Sequence, residues 1–268
     1  MTASVDRILA STARTHRAFA LSAATLLLAG TALVPAAAQV ADLGGLTRVT
    51  FDFANFNPPG IGIIPAEITN GTVRASITGS VTYGGNLTDS IGLLTFRKEG
   101  AGTLTLSGVN THGGNTVVSN GTLQLGSATA LSANSALFIG GPVGVAAILD
   151  MNGFSGAATG LLATTGRAIV TAGSGPATLT INTALNRVYN GGLQGALSIV
   201  KDGAGIQTFN GSFEPGLAPT TMTGTITLNA GGISIGSDNA LGTGNLIVNG
   251  AGTLTTGTIG LRLFDNDI

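Results

Sequence analysis

Apolar and polar residues alternate along several short stretches from Thr47 onward, which is the pattern of β-strands with one buried face. The clearest are Thr103-Leu104-Thr105-Leu106 and Ile233-Ser234-Ile235. Three others alternate in the same way: Thr122-Leu123-Gln124-Leu125, Thr178-Leu179-Thr180-Ile181 and Thr225-Ile226-Thr227-Leu228. The pattern predicts short strands with an aliphatic inner face and an outer face of hydroxyl and amide side chains.

Turn residues end these stretches. Asn-Gly recurs as Asn70-Gly71, Asn120-Gly121, Asn152-Gly153, Asn190-Gly191, Asn210-Gly211 and Asn249-Gly250. Gly and Asn tolerate the positive φ that tight turns between strands require. Amphipathic helices are not expected, because Gly or a β-branched residue interrupts every helical window after residue 38. The sequence therefore predicts an all-β fold.

Two blocks of sequence occur twice in the same order. Lys98-Glu99-Gly100-Ala101-Gly102 returns as Lys201-Asp202-Gly203-Ala204-Gly205, 103 residues later. Gly126-Ser127-Ala128-Thr129-Ala130-Leu131 returns as Gly236-Ser237-Asp238-Asn239-Ala240-Leu241, and the second copy carries an insert over residues 213–219. Repeated blocks with a variable insert favour stacked coils of 20-odd residues, on the order of ten in all. A β-sandwich remains the alternative, since its strands also alternate between glycine-rich turns.

The first 38 residues have the pattern of an export signal. A basic segment with Arg7, Arg14 and Arg17 precedes the apolar run 18–34 and a small-residue site, from which we predict cleavage after Ala38. A membrane anchor is the alternative, but the run is at the short limit for crossing a bilayer. The predicted organisation is a signal peptide at 1–38, a capping region with the first coils at 39–93, a first repeat block at 94–196 and a second, incomplete block at 197–268.

Composition excludes several classes of protein. The chain of 268 residues has 43 Gly, no Cys and only 9% charged residues, where about 25% is usual. A disulfide scaffold and a cysteine metal site are excluded, and the 43% hydrophobic content argues against a disordered chain. Cleavage would remove three of 11 basic and one of 12 acidic residues, leaving a net charge of −3 and no electrostatic footprint for nucleic acid.

The segment from Lys98 to Gly126 carries a set of glycines and leucines at fixed spacing, with a Lys before them and an Asn-Thr pair between them: Lys98, Gly100, Gly102, Leu104, Leu106, Gly108, Asn110, Thr111, Gly121, Leu123 and Gly126. At these positions the segment resembles the autotransporter-associated β-strand repeat. His112 stands where that family usually has an aromatic residue, and in the second copy Ile206-Gln207-Thr208-Phe209 replaces Thr-Leu-Thr-Leu. The two copies cover roughly residues 94–140 and 197–250.

The resemblance implies a right-handed parallel β-helix that serves as a passenger region of a type V secreted protein. Its expected role is surface display and adhesion without catalysis, at the cell surface or outer membrane, or released outside the cell. The expected partners are an outer-membrane translocator barrel and host or surface glycans or proteins. Residues 261–268 lack the strands and the aromatic terminus of such a barrel. Three alternatives follow: the chain is a fragment of a longer passenger, it is a truncated gene product, or it is secreted by another route. If no translocator exists, the expected location is the periplasm.

Candidate chemistry is sparse. His112 is the single His after residue 38, and we expect it to be an exposed turn residue, not a general base. Lys98 and Lys201 are expected to flank strands as repeat residues. The acidic residues are dispersed: Asp42, Asp52, Glu67, Asp89, Glu99, Asp150, Asp202, Glu214, Asp238, Asp265 and Asp267. A secreted polysaccharide-acting enzyme with paired carboxylates is the alternative function, but no catalytic, cofactor or metal residue is assigned.

An aromatic cluster precedes the repeats. Phe51, Phe53 and Phe56 stand before a Pro-Pro-Gly turn, where they suit either a ligand-binding surface or an N-terminal cap. Terminal coils of solenoids are atypical because they close an otherwise open core. The cap is the interpretation that we favour.

Overall fold

The computed structural model describes residues 48–51, 66–69, 72–88, 94–142, 144–163, 167–211, 220–250 and 252–256. Within these ranges the chain forms 23 short strands and no helix, which confirms the all-β prediction. No segment of these ranges forms a helix able to cross a membrane. The strands are β1 (Arg48–Phe51), β2 (Ala66–Thr69), β3 (Thr72–Ser76), β4 (Ser80–Tyr83), β5 (Thr95–Glu99), β6 (Thr103–Leu106), β7 (Thr116–Val118), β8 (Gly121–Leu125), β9 (Leu137–Ile139), β10 (Ala147–Asp150), β11 (Gly156–Ala158), β12 (Leu161–Leu162), β13 (Ala168–Thr171), β14 (Ala177–Asn182), β15 (Arg187–Tyr189), β16 (Gly192–Gly195), β17 (Leu197–Asp202), β18 (Ile206–Phe209), β19 (Thr221–Met222), β20 (Ile226–Leu228), β21 (Gly232–Ile235), β22 (Leu246–Val248) and β23 (Thr253–Thr256).

The strands are arranged as a parallel β-solenoid. Four sheets have the orders β1-β2-β3-β5-β7-β9-β12, β19-β16-β13-β10-β8-β6-β4, β11-β14-β17-β20-β22 and β15-β18-β21-β23. From β3 onward, consecutive strands belong to different sheets, and strands pair in parallel with strands of the next coil, so the chain winds through about eight turns. A coil takes between 19 residues, from Thr103 to Thr122, and 27 residues, from Gln194 to Thr221. The predicted coil length is confirmed.

The alternation of the sequence decides which side chains enter the core. Leu104, Leu123 and Leu149 are in register in three successive coils, and all are fully buried. Between them, outward side chains bond to each other: Thr105 Oγ1 donates to Gln124 Oε1 at 2.9 Å, and Gln124 Nε2 donates to Asp150 Oδ2 at 2.9 Å. Full burial of a Leu stabilises the fold by roughly 1.5 to 3 kcal/mol. Outward polar rows that satisfy each other explain how so few charges suffice.

One outer row departs from the expected polar ladder. Val117, Phe138 and Leu162 are in register at outward positions, in line with the half-exposed Arg97. Phe138 and Leu162 are partly exposed, whereas Val117 is buried. The outer surface of the middle coils is therefore partly apolar, and a wholly polar exterior is wrong for this sheet.

An antiparallel hairpin precedes the first parallel coil. Strand β1 pairs antiparallel with β2, and β2 pairs antiparallel with β3, whereas β3 pairs parallel with β5. The backbone of Phe51 ends β1, but Phe53 and Phe56 lie outside the described residues. The aromatic cap stays a prediction, as do the signal peptide at 1–38 and its cleavage site, which also lie outside the described residues.

The two repeat copies lie at different corners of the coil. Lys98 is in β5, and the turn after it leads into β6, from the sheet of β1 to the sheet of β4. Lys201 is in β17, and its turn leads from the five-stranded sheet into β18 of the four-stranded sheet. A spacing of 103 residues does not return the chain to the same corner, because the intervening coils vary in length.

Candidate functional site

Lys98 lies inside the solenoid, not beside it. Its side chain is fully buried, at 0% exposure, on the inward side of β5. The ammonium group donates three hydrogen bonds, to the backbone oxygens of Glu99 at 2.9 Å, Gly100 at 2.7 Å and Asn120 at 3.0 Å. The first two oxygens belong to the corner that follows Lys98, and the third belongs to the corner of the next coil, between β7 and β8.

Lys201 repeats this arrangement. It is also fully buried, and its Nζ donates to the backbone oxygens of Asp202 at 2.8 Å, Gly203 at 2.9 Å and Ala230 at 3.1 Å. Ala230 lies in the corner between β20 and β21, one coil later. We call each lysine with its three carbonyl oxygens a lysine cage. An ammonium has three donors and no acceptor, so three carbonyls satisfy it completely, and the bonds are charge-assisted.

Burial changes the protonation equilibrium of both amines. Desolvation lowers the pKa of Lys98 to about 8. Desolvation also lowers the pKa of Lys201, while the nearby charge of Asp202 opposes that shift. Because a pKa of about 8 is still above 7, the ammonium form of Lys98, with all three donors, dominates at neutral pH. The cages serve to hold backbone together; neither amine is presented to solvent as a nucleophile.

Glycines let the corners of neighbouring coils approach each other. Gly121 and Gly231 follow the third carbonyl of each cage, and both have positive φ, at 65° and 69°. A Cβ at Gly121 would collide with the backbone oxygen of Gly102, and one at Gly231 would collide with that of Gly203. Only Gly combines that backbone conformation with so close a contact. Lysine and glycine in the motif therefore build one feature, a pair of closely stacked corners.

Asn110 connects three successive coils through its side-chain amide. The side chain is 4% exposed; its Oδ1 accepts from the N–H of Leu87 at 2.8 Å, and its Nδ2 donates to the backbone oxygen of Ala130 at 2.6 Å. Leu87 lies one coil before Asn110 and Ala130 one coil after it, with separations of 23 and 20 residues. The side-chain amide of Asn110 thus accepts and donates hydrogen bonds as a backbone peptide group does within a sheet, at a point where the connecting loops have left the sheets.

His112 is buried, at 1% exposure, so the expectation of an exposed turn residue is wrong. The N–H groups of Thr111 and His112 both donate to the oxygen of Leu87, which folds this loop inward over the preceding coil. The ring Nε2 lies 3.0 Å from Thr116 Oγ1, which lies 2.9 Å from Ser135 Oγ. The position where the resembling repeats have an aromatic residue is thus an interior one, and His112 fills it with a polar ring.

Gln207 accounts for the departure of the second copy from Thr-Leu-Thr-Leu. It occupies an inward position of β18 at 0% exposure. Its Nε2 donates to the oxygen of Leu161 at 2.9 Å, and its Oε1 accepts from the Leu161 N–H at 3.4 Å. Leu161 pairs with Leu137 of β9 on one side, but on the other side the only bridge toward β15 among the described residues joins Ala163 with Tyr189, so Gln207 bonds to the backbone of Leu161 there. Sequence reasoning missed this role; the signal was a Gln at an inward position of an alternating stretch.

The described carboxylates do not converge on a site. Glu99 forms an ion pair with Arg74 at 3.1 Å, and Asp202 accepts from Asn229 Nδ2 at 3.0 Å. Within the described ranges, no group of three or more His, Cys, Asp or Glu residues could hold a metal ion. Asp42, Asp52, Asp89, Glu214, Asp265 and Asp267 lie outside the described residues, and the side chain of Glu67 is not described.

Two comparisons with known proteins find a similarity. The passenger-associated-transport-repeat family matches residues 96–125. The chain is also similar to the adhesin BmaC autotransporter of Brucella suis biovar 1 (strain 1330), with 31% identity over 202 residues. That similarity covers 71% of this chain and 6% of the length of the adhesin. No solved structure matches the chain.

The matched segment coincides with the architecture described above. Residues 96–125 include most of β5 and all of β6, β7 and β8, together with the Lys98 cage, Asn110 and Gly121. The repeat thus encodes two stacked coils and the contacts that join them. Together, the repeat match, the adhesin relative and the stacked coils support an autotransporter passenger repeat protein, built as a parallel β-solenoid.

Proposed function

We propose that the chain is a non-catalytic, exported passenger segment whose β-solenoid displays a binding surface for adhesion. One observation carries this function: the two buried polar residues Lys98 and Asn110 of the matched repeat bond to the backbone of neighbouring coils. Lys98 and Asn110 bind carbonyl and amide groups, and Gly121 permits the close corner. A motif devoted to stacking supports a role in holding a surface outward, since each added coil extends a solenoid by about 4.8 Å.

The adhesive part of the proposal rests on the outer surface. The matched relative is named an adhesin, and the similarity covers most of this chain. Phe138 and Leu162 are in register and partly exposed on the outer face, and Val188, beside the bridge of Ala163 with Tyr189, is 45% exposed. Apolar and aromatic contact area beside hydrogen-bonding rows is suited to host or surface glycans or proteins.

Export is tested by the position of the protein in intact cells. The family match and the adhesin relative support an exported location at the cell surface or outer membrane, with a translocator domain as partner in the full protein. An epitope inserted beside the exposed Gly144 should be labelled by antibody on intact cells when the chain is expressed with a translocator domain. Labelling that requires permeabilised cells would contradict surface display. Cleavage after Ala38 predicts a mature protein that begins at Gln39.

Adhesion is tested with the purified chain on arrays of glycans and matrix proteins. We expect binding that falls at least about tenfold in Phe138→Ser, because aromatic anchors dominate binding surfaces. Thr208→Ser is the matched control, a polar residue of the four-stranded sheet in β18. No ligand bound by the unsubstituted chain would refute adhesion while leaving display intact. New reducing or unsaturated ends released from glycans would refute the non-catalytic role.

A further inference from the structure

Alternation alone does not fix how one coil aligns with the next. Strand β6 pairs with β8 so that Thr103 faces Thr122. A shift of two residues would place Thr122 against Thr105, and every inward Leu would still face inward. The threonine and leucine pattern therefore permits a slipped register at little cost in burial.

The lysine cages do not permit that slip. The bond from Lys98 Nζ to Asn120 O is 3.0 Å long, and a slip of two residues moves the carbonyl by about 6.6 Å along the strand. The fully buried ammonium would lose its partner from the next coil, and an incompletely paired buried charge is strongly unfavourable. The same holds for Lys201 and the oxygen of Ala230.

We propose that Lys98 and Lys201 fix the register of one coil on the next, as a single buried polar residue fixes register in coiled coils. The two cages form at different corners and across different coil lengths, with 22 residues from Lys98 to Asn120 and 29 from Lys201 to Ala230. They are also the only two lysines in the sequence. A chain that places both of its lysines inside the core uses them for specificity, because Leu would serve burial better.

Cysteine pairs report the register directly, since the chain has no Cys. Thr103→Cys with Thr122→Cys marks the native register, and Thr105→Cys with Thr122→Cys marks a slip by two residues. Thr103→Cys with Gln124→Cys marks the opposite slip. Directly paired positions are within disulfide reach and diagonal ones are beyond it. With Lys98 present, we expect the native pair to oxidise and the slipped pairs to stay reduced.

Removing the ammonium should release the register. In Lys98→Met, we expect the oxidised fraction of the slipped pairs to rise at least about tenfold. Arg97→Met is the matched control: it removes the same charge from the same strand, but its side chain is 36% exposed and donates to Ser119 Oγ at 2.8 Å. An unchanged ratio of slipped to native disulfide in Lys98→Met would overturn the proposal, as would an equal rise in Arg97→Met.

A second measurement uses the unsubstituted chain and does not depend on a variant that folds. Amine-reactive reagents should label the α-amine of the native protein, whereas both lysines should react at least about a hundredfold more slowly than free lysine. After the protein is unfolded, both lysines should react at the rate of free lysine. With ¹⁵N-lysine, the two lysines are the sole labelled sites, and both should show ammonium protons protected from exchange at neutral pH. Rapid labelling of either lysine in the folded protein would overturn the cage and the register role with it.

Discussion

Stability should depend on pH through Lys98 in a direction opposite to that of a surface lysine. The perturbation is Lys98→Met, which replaces the caged ammonium with an uncharged side chain of similar length. Burial lowers the pKa of Lys98 from 10.5 to about 8 in the folded protein. Between these two values the unfolded chain binds more protons than the folded chain, so unfolding becomes less favourable as pH rises.

The magnitude follows from the two pKa values of Lys98. A difference of one between the pKa of the folded chain and that of the unfolded chain is worth about 1.4 kcal/mol, and the effect acts mostly between pH 8 and 10.5. From pH 7 to pH 10 the free energy of unfolding of the unsubstituted protein should therefore rise by about 2.5 kcal/mol relative to Lys98→Met. Lys201 is present in both proteins, so its contribution cancels. Burial also raises the pKa of Tyr83, to about 12, and this contribution cancels in the same way.

The assay is urea unfolding of both proteins at pH 7, 8, 9 and 10, with short incubations. At each pH, the free energy of unfolding of Lys98→Met is subtracted from that of the unsubstituted protein, and this difference should increase steadily above pH 8. A difference that stays flat, or one that falls as pH rises, would refute the reasoning. A fall would mean that the three carbonyls favour the ammonium more strongly than desolvation disfavours it.

Three further substitutions test the other contacts by urea unfolding. Asn110→Ala should lower the free energy of unfolding by about 2 to 4 kcal/mol, because it leaves a buried N–H and a buried carbonyl unpaired; a loss below about 0.5 kcal/mol would contradict the bridging role. Gln207→Leu restores an apolar residue, yet it should lower the free energy of unfolding by about 1 to 3 kcal/mol and speed hydrogen exchange at the Leu161 amide, because it removes both bonds to the Leu161 backbone. A more stable variant would show that the Gln207 amide contributes nothing to stability. Gly121→Ala should lower the free energy of unfolding by more than about 2 kcal/mol, since the new Cβ would be strained by the positive φ and would collide with the backbone of the preceding coil. Gly144→Ala, where φ is also positive but the space around the Cβ is open, should lower it by about 1 kcal/mol, and equal losses would mean that close stacking of the corners is unimportant.

Local patterns sufficed for the strands and their faces. Thr103–Leu106 is a strand as the alternation predicts, with its leucines buried and its threonines partly exposed. A period of two residues is a property of the extended backbone itself, so it can be recognised without knowing the neighbours. The positive φ of Gly121 and Gly211 likewise follows from the Asn-Gly turns. The block boundaries at 94–196 and 197–268 stay a prediction.

The candidate site was less accessible to sequence reasoning. His112 was expected at the surface because its neighbours are turn residues, yet the loop folds inward through bonds to Leu87, which lies one coil earlier. Gln207 could be recognised only as a departure from the motif, because its partner Leu161 is 46 residues away. Side chains that bond across coils have partners at separations that vary from coil to coil, so no fixed spacing reveals them.

The sequence by itself determined an all-β chain of short strands, an aliphatic interior, a mostly polar exterior and a repeated corner of Lys, Gly and Gly. The tertiary structure alone decided that both lysines are buried, that the two repeat copies lie at different corners, and that part of the exterior is apolar. The physical reason is that strand pattern depends on adjacent residues, whereas a buried ammonium is tolerated only where three carbonyls meet. Those carbonyls come from two coils, and only the stacked chain brings them within 3.1 Å of each amine.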